Sequence, residues 1–180
     1  MSTSVIDELI RRNGRFAEQN EVTGLSLLPS GQTLVLGCVD PRVDPAVVLG
    51  VRLGEAAVIR NLGGRVTPAA LRTIALLGAI ARNVGQQPGT DWNLVVVHHT
   101  DCGIARLVGQ PDALAAELGI GPDALDPATL SDPRASLTTD LAALHANPVL
   151  PRGLIVSGLL YDVDTGRVET VVAPAPLGQP

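Results

Sequence analysis

The chain has 180 residues, 46% of them apolar and 17% charged, with a formal net charge of −5. It is long and apolar enough to bury a core, which excludes a disordered polymer. No lysine occurs and all 13 cations are arginines. This removes Schiff-base lysine chemistry and a phosphate-loop lysine, and one Phe, one Trp and one Tyr are too few rings for a base-stacking nucleic-acid surface.

In chain order, Ser4 is placed to cap a first helix carrying Val5, Ile6, Leu9 and Ile10 at helical spacing, with Phe16 extending the pattern. Such an arm either packs on a neighbouring subunit or lies on the surface of its own. Thr33 to Gly37 reads as a buried strand, followed by a short helix at Pro45 to Leu49 and a second strand at Ala56 to Ile59. Thr67-Pro68 is a cap followed by a first-turn proline. Leu71, Ile74, Ala75, Leu77 and Ile80 carry that helix towards Val84, where Gly85 stops it. Leu94 to His98 is the most strand-like run of all. Asp112 to Asn147 reads as helix broken at Pro122, Pro127 and Pro133. Strands at Leu154 to Tyr161 and Arg167 to Ala173 flank a hairpin turn at Asp164-Thr165-Gly166.

Alternating strands and helices predict an α/β fold: a mainly parallel β-sheet flanked by helices, with an antiparallel C-terminal edge strand. The expected organisation is a single domain over residues 1–180 with an N-terminal helical arm over about 1–20. Met1 to Arg15 has no apolar signal core, and no run reaches the ~18 residues of a membrane span. A soluble, cytoplasmic protein with neither a membrane nor a nucleic-acid partner is therefore expected.

Two segments concentrate the chemistry: Cys38-Val39-Asp40-Pro41-Arg42 and His98-His99-Thr100-Asp101-Cys102-Gly103. Each follows a predicted parallel strand, and ligands of open α/β sheets bind at the carboxyl ends of strands. Two cysteines and one histidine suit zinc and leave its fourth position open for a water. Two thiolates weaken the acidification of that water, and an Asp40–Arg42 pair is the candidate compensation. His98 and His99 must point to opposite faces of a strand. His99, three residues before Cys102, is the choice for the metal, and His98 is left as a core or interface histidine. His145 is read as a helix-surface residue. Taken singly, a buried cysteine is a small hydrophobe and Asp-x-Arg an ordinary ion pair. A disulfide between Cys38 and Cys102 is the other way to satisfy the two thiols. The loose glycine pattern at Gly119 to Ala124 follows a helix rather than a strand, and Ser157-Gly158 lacks the preceding glycine of a nucleophile elbow.

Cys-x-Asp-x-Arg followed by His-x-x-Cys-Gly resembles the β-carbonic anhydrases. Val58-Ile59-Arg60-Asn61-Leu62-Gly63-Gly64, between the two motifs, is similar to that family's Ile-Arg-Asn-Ala-Gly segment, and Thr67 to Gly78 to the helix after it. The resemblance spans roughly Thr33 to Leu107. It implies reversible hydration of CO2 to bicarbonate and a proton, with Zn2+ on Cys38, His99 and Cys102 and an Asp40–Arg42 catalytic dyad. It implies a homodimer or tetramer in which the first helix reaches a partner. In the bacterial branch that His98 to Cys102 is similar to, a closed state puts the aspartate, here Asp40, on the fourth zinc position. Pro41 departs from the family's usual Ser or Ala and either stiffens or misplaces the dyad. The pocket is expected to be aliphatic, with Val39, Leu62 and Val66 as lining candidates. Relatives acting on COS or CS2 supply a second reading, and a zinc protein without catalysis a third.

Overall fold

The computed structural model describes residues 4–19, 22–89, 91–121, 123 and 125–178. Pro122 and Ala124 of the loose glycine pattern lie outside them. The elements are α1 (Val5–Gln19), β1 (Thr33–Cys38), α2 (Pro45–Val48), β2 (Ala56–Asn61), α3 (Pro68–Asn83), β3 (Asn93–His99), α4 (Pro111–Leu118), α5 (Pro127–Ser131), α6 (Pro133–Ala146), β4 (Ile155–Tyr161) and β5 (Val168–Pro176). Short 3₁₀ turns follow β2 at Leu62–Gly64 and β3 at Gly103–Leu107.

The strand order is β2-β1-β3-β4-β5. β1 runs parallel to both β2 and β3, β3 runs parallel to β4, and β5 is antiparallel to β4. This is the predicted mixed sheet with its antiparallel edge. β5 runs to Pro176, past the expected Ala173. An edge strand tolerates proline because its outer N–H groups have no partner to lose.

Helix starts follow one chemical rule. Asp44-Pro45, Asp126-Pro127 and Asp132-Pro133 each put an aspartate at the cap and a proline in the first turn, and each aspartate accepts backbone N–H groups of that turn. Repeated Asp-Pro starts divide the expected helical stretch into α4, α5 and α6. Thr67 caps α3 by accepting from the Ala70 N–H at 3.2 Å.

Leu34 and Leu36 of β1, Leu94 and Val96 of β3, and Val156 of β4 form the core with Ala70 and Ile74 of α3 and Leu137, Leu141 and Leu144 of α6. Burial of a Leu or Val of this kind stabilises by about 1.5–3 kcal/mol. Gly158 lets α6 approach the sheet: a Cβ there would sit 3.0 Å from Leu137 Cγ. α1 stands apart from this core. Ser4 caps it through the Asp7 N–H, as expected, but none of its residues is buried.

Candidate metal centre

The chain leaves β1 outward to β2 and returns on the other side as β3. β1 and β3 are neighbours whose connections depart in opposite directions. That is the topological switch point, where a crevice opens at the strands' carboxyl ends. Cys38 is the last residue of β1 and His99 the last of β3. After His99 the chain bends through Asp101, held at φ +50, and brings Cys102 back to the same crevice. Thr100 anchors the bend: its N–H donates to the Tyr161 carbonyl at 3.0 Å, and its hydroxyl accepts from the Val163 N–H at 3.0 Å.

One ligand atom from each of Cys38, His99 and Cys102 lies within 4.8 Å of the other two. His99 Nδ1 is 2.9 Å from the Thr100 carbonyl oxygen, which fixes the proton on Nδ1 and leaves Nε2 to accept. Nε2 is buried and has no hydrogen-bond partner, an expensive condition unless something binds it. The two sulfurs are free thiols 3.8 Å apart. Tetrahedral zinc with Zn–S bonds near 2.3 Å requires a sulfur–sulfur edge of about 3.8 Å. The residues present therefore fit a zinc ion. His98 points the other way, as strand alternation demands, and lies 3.3 Å from Asp140 beneath the sheet.

The two thiols polarise each other. The Cys102 thiol beside it lowers the Cys38 pKa against the effect of burial. His99 and the backbone N–H groups of Asp40 and Gly63 lower it further. The Cys38 thiolate and burial together push Cys102 up. Burial opposes a charged His99, but Cys38 and the Thr100 carbonyl outweigh it and raise the imidazole.

Asp40 and Arg42 meet as expected, although by a turn rather than by extended-strand alternation. The Val43 N–H donates to the Asp40 carbonyl at 3.2 Å, which makes Pro41 the second residue of a β-turn, where its fixed φ belongs. The Arg42 N–H donates to Asp40 Oδ1 at 2.9 Å. Its guanidinium grips the same carboxylate with Nε at 3.0 Å from Oδ1 and Nη2 at 2.8 Å from Oδ2. This bidentate grip outweighs burial and holds the Asp40 pKa down to about 2. Pro41 thus stiffens the pair. The other edge of Arg42 reaches the second loop, with Nη1 2.9 Å from Asp101 Oδ2 and Nη2 2.9 Å from the Asp101 carbonyl oxygen.

Arg60 received no role from sequence reasoning beyond its place in the similar segment. Its Nε donates to the Cys38 carbonyl at 2.8 Å and its Nη2 to the Asp40 carbonyl at 2.7 Å, while Nη1 pairs with Asp44 at 2.6 Å. One side chain from β2 therefore clamps the loop that carries both Cys38 and Asp40. An arginine directly after the predicted second strand was the available signal, but two of its targets are backbone carbonyls, which no spacing reveals.

The carbonic anhydrase family model matches residues 33–122, half of the chain. Beta-carbonic anhydrase 1 of Mycobacterium tuberculosis is 30% identical over 149 residues, 82% of this chain and 86% of the relative. The chain belongs to the β-carbonic anhydrase family. A crystal structure of carbonic anhydrase from Streptococcus mutans superposes with a TM-score of 0.73 at 32% identity, over 95% of this chain and 99% of that one. A carbon disulfide hydrolase of Saccharolobus solfataricus is 27% identical over 94% of this chain and 90% of its own length. The activity of this β-carbonic anhydrase is the reversible hydration of CO2, and its cofactor is zinc. A cavity of about 280 Å³ opens beside His99 and Cys102, lined also by Asp101, Ala105, Arg106 and Leu130, among others. Of the expected apolar lining, Leu62, like Cys102, packs against the cluster of Ile104, Leu114 and Leu130, whereas Val66 packs against the main core and Val39 is half exposed.

Proposed function

We propose that this β-carbonic anhydrase holds zinc with Cys38 Sγ, His99 Nε2 and Cys102 Sγ, and that Asp40 and Arg42 are its catalytic pair. The observation that carries this reading is the convergence of the three donors on one point at the switch point of the sheet. Zinc, when bound, lowers the pKa of water to about 7 and so supplies hydroxide at neutral pH. Arg42 keeps Asp40 ionised and fixed in direction. A lone pair left on that carboxylate accepts a hydrogen bond from the attacking oxygen and aims it at the carbon of CO2. Leu130 and Ala105 give the cavity an apolar wall for an uncharged linear substrate. Were the Arg42 grip to open, Asp40 would be free to serve as a further ligand to a bound zinc and so close the site. Stopped-flow CO2 hydration by the zinc-loaded protein in mildly alkaline buffer tests the reading. Rapid hydration is expected, and stoichiometric zinc with no hydration ends it.

The Saccharolobus relative's name gives a second reading, hydrolysis of CS2 or COS at the same site. Turnover of either faster than CO2 would promote it. A zinc protein without catalysis loses its main support, because Pro41 sits in a turn that assembles the dyad.

The oligomer is proposed as a homodimer or a tetramer. α1 leaves Val5, Ile6, Leu9 and Ile10 more than half exposed, and a 15-residue helix with no buried residue is marginal in water on its own. Light scattering on the purified protein tests this. Two free thiols at the site suit a reducing cytoplasm. Among the described residues no helix is long and apolar enough to cross a membrane.

A further inference from the structure

We propose that Asp101 is a positioning residue for this reaction: backed by Arg106, it holds the outer edge of the Arg42 guanidinium and so keeps Asp40 turned away from the metal. The inference rests on the roles given above to Asp40 and Arg42 and adds the residue that sets their geometry.

An arginine has five N–H donors in a rigid planar fork. In Arg42 the inner edge, Nε and Nη2, is spent on Asp40. The outer edge is spent on Asp101, with Nη1 on the carboxylate and Nη2 on the carbonyl oxygen, both at 2.9 Å. Arg42 therefore staples the loop after β1 to the loop after β3. The far oxygen of Asp101 is also occupied, since Arg106 Nη2 lies 3.0 Å from Oδ1. Arg106, Asp101, Arg42 and Asp40 form a row of alternating charge running from solvent to the metal crevice.

The row decides how firmly Asp40 is held. The Arg42 side chain is 46% exposed, whereas that of Asp40 is 13% exposed. An exposed, rotamer-rich side chain held at one edge only regains freedom readily. With its outer edge fixed, the guanidinium plane is set from both sides and the Asp40 carboxylate has a stationary partner. Without the Asp101 carboxylate, Nη1 loses its partner, and among the described residues Arg42 is left with the Asp101 carbonyl oxygen and with Asp40, the contact that must open for Asp40 to reach the metal. The backbone contributes to the arrangement. Among the described residues Asp101 is one of three non-glycine residues with positive φ. This bend sends its carbonyl to Arg42 and lies between His99 and Cys102.

Two variants separate positioning from a simple turn role. Asp101→Gly keeps the left-handed bend and the carbonyl acceptor but removes the carboxylate. Asp101→Asn keeps the bend, which asparagine tolerates, and a neutral acceptor for Nη1. With zinc content equal to the parent protein, kcat/KM for CO2 at neutral pH is expected to fall about fivefold in Asp101→Gly, the scale of one exposed ion pair, and less in Asp101→Asn. The crystal structure of zinc-loaded Asp101→Gly is expected to show the Asp40 carboxylate moved from Arg42 towards the metal. Should that variant not fold, the same two measurements on Asp101→Asn decide. Unchanged kcat/KM with Asp40 still gripped by Arg42 overturns the inference. An inactive zinc-loaded parent protein would instead overturn the catalytic reading beneath it.

Discussion

Asp40 is an ionised carboxylate beside the Cys38, His99 and Cys102 cluster, and one neighbour dominates its state. The Arg42 guanidinium is the largest cause of its low pKa. Replacing Arg42 by Gln removes the charge and both parallel bonds, so the Asp40 carboxyl returns towards the ordinary range and loses its fixed direction. Asp40→Asn keeps the size but removes the anionic acceptor. Either change is expected to cost about 10²–10³ in kcat with zinc retained, measured by stopped-flow hydration alongside metal analysis. The donors make a second prediction. In the metal-free chain Cys102 is pushed up and keeps its proton at neutral pH. Zinc must expel that proton, so apparent zinc affinity rises with pH, by about tenfold per unit for each proton released. Competition with a chelator across a pH series reads that slope, and a flat profile would contradict the assigned thiol state.

At the scale of elements, the site depends on how closely the turn after β2 approaches the end of β1. Gly64 has φ +67, and a Cβ there would lie 2.9 Å from the Val97 carbonyl oxygen and 3.0 Å from the Cys38 backbone nitrogen. The obstacles are backbone atoms of the two strands that bear the donors, so neither can move without shifting a ligand. Gly64→Ala is expected to destabilise by about 3 kcal/mol, combining the left-handed penalty with overpacking, and to weaken zinc binding. Urea unfolding and chelator competition measure the two effects. Much of this level was legible in the sequence, for local reasons. Thr67-Pro68 states its helix start outright, and the β-branched run at Leu94 to His98 could hardly be anything but a strand, whereas Pro127 and Pro133, read as breaks in one helix, are first-turn prolines of α5 and α6 behind the Asp126 and Asp132 caps. The clustering of Cys38, His99 and Cys102 was legible because the first two lie at strand ends and the third just past the second end. What escaped were long-range polar contacts: Arg60 on the Cys38 and Asp40 carbonyls, and Asp101 on Arg42. Their partners are backbone carbonyls or residues 59 positions away, and neither leaves a periodic signal.

Across the whole molecule, one buried ion pair ties the layers together beneath the metal centre. Asp140 on α6 accepts from Arg65 Nε at 2.8 Å and Nη2 at 3.0 Å, and from the Val66 N–H at 3.0 Å. His98, on the strand that carries His99, lies 3.3 Å away. Both members of the pair are 7% exposed, so neither can turn to water if the other is lost. Burial pushes the Asp140 carboxyl up, but His98 and Arg65 overcome it and the net shift is downward. A carboxylate with a lowered folded pKa contributes stability above its unfolded value of about 3.9. That contribution disappears as pH falls through the lower, folded value. Asp140→Asn leaves Arg65 buried without a counter-charge and turns an amide donor towards another donor. The expected loss is about 3–5 kcal/mol at neutral pH, read from urea unfolding. Below about pH 4 the parent protein gives up this contribution while the variant has none to lose, so the two stability curves should converge on acidification. Parallel curves down to the acid limit would mean that the link between α6 and the metal-bearing strand owes its strength to packing rather than to the charge on Asp140.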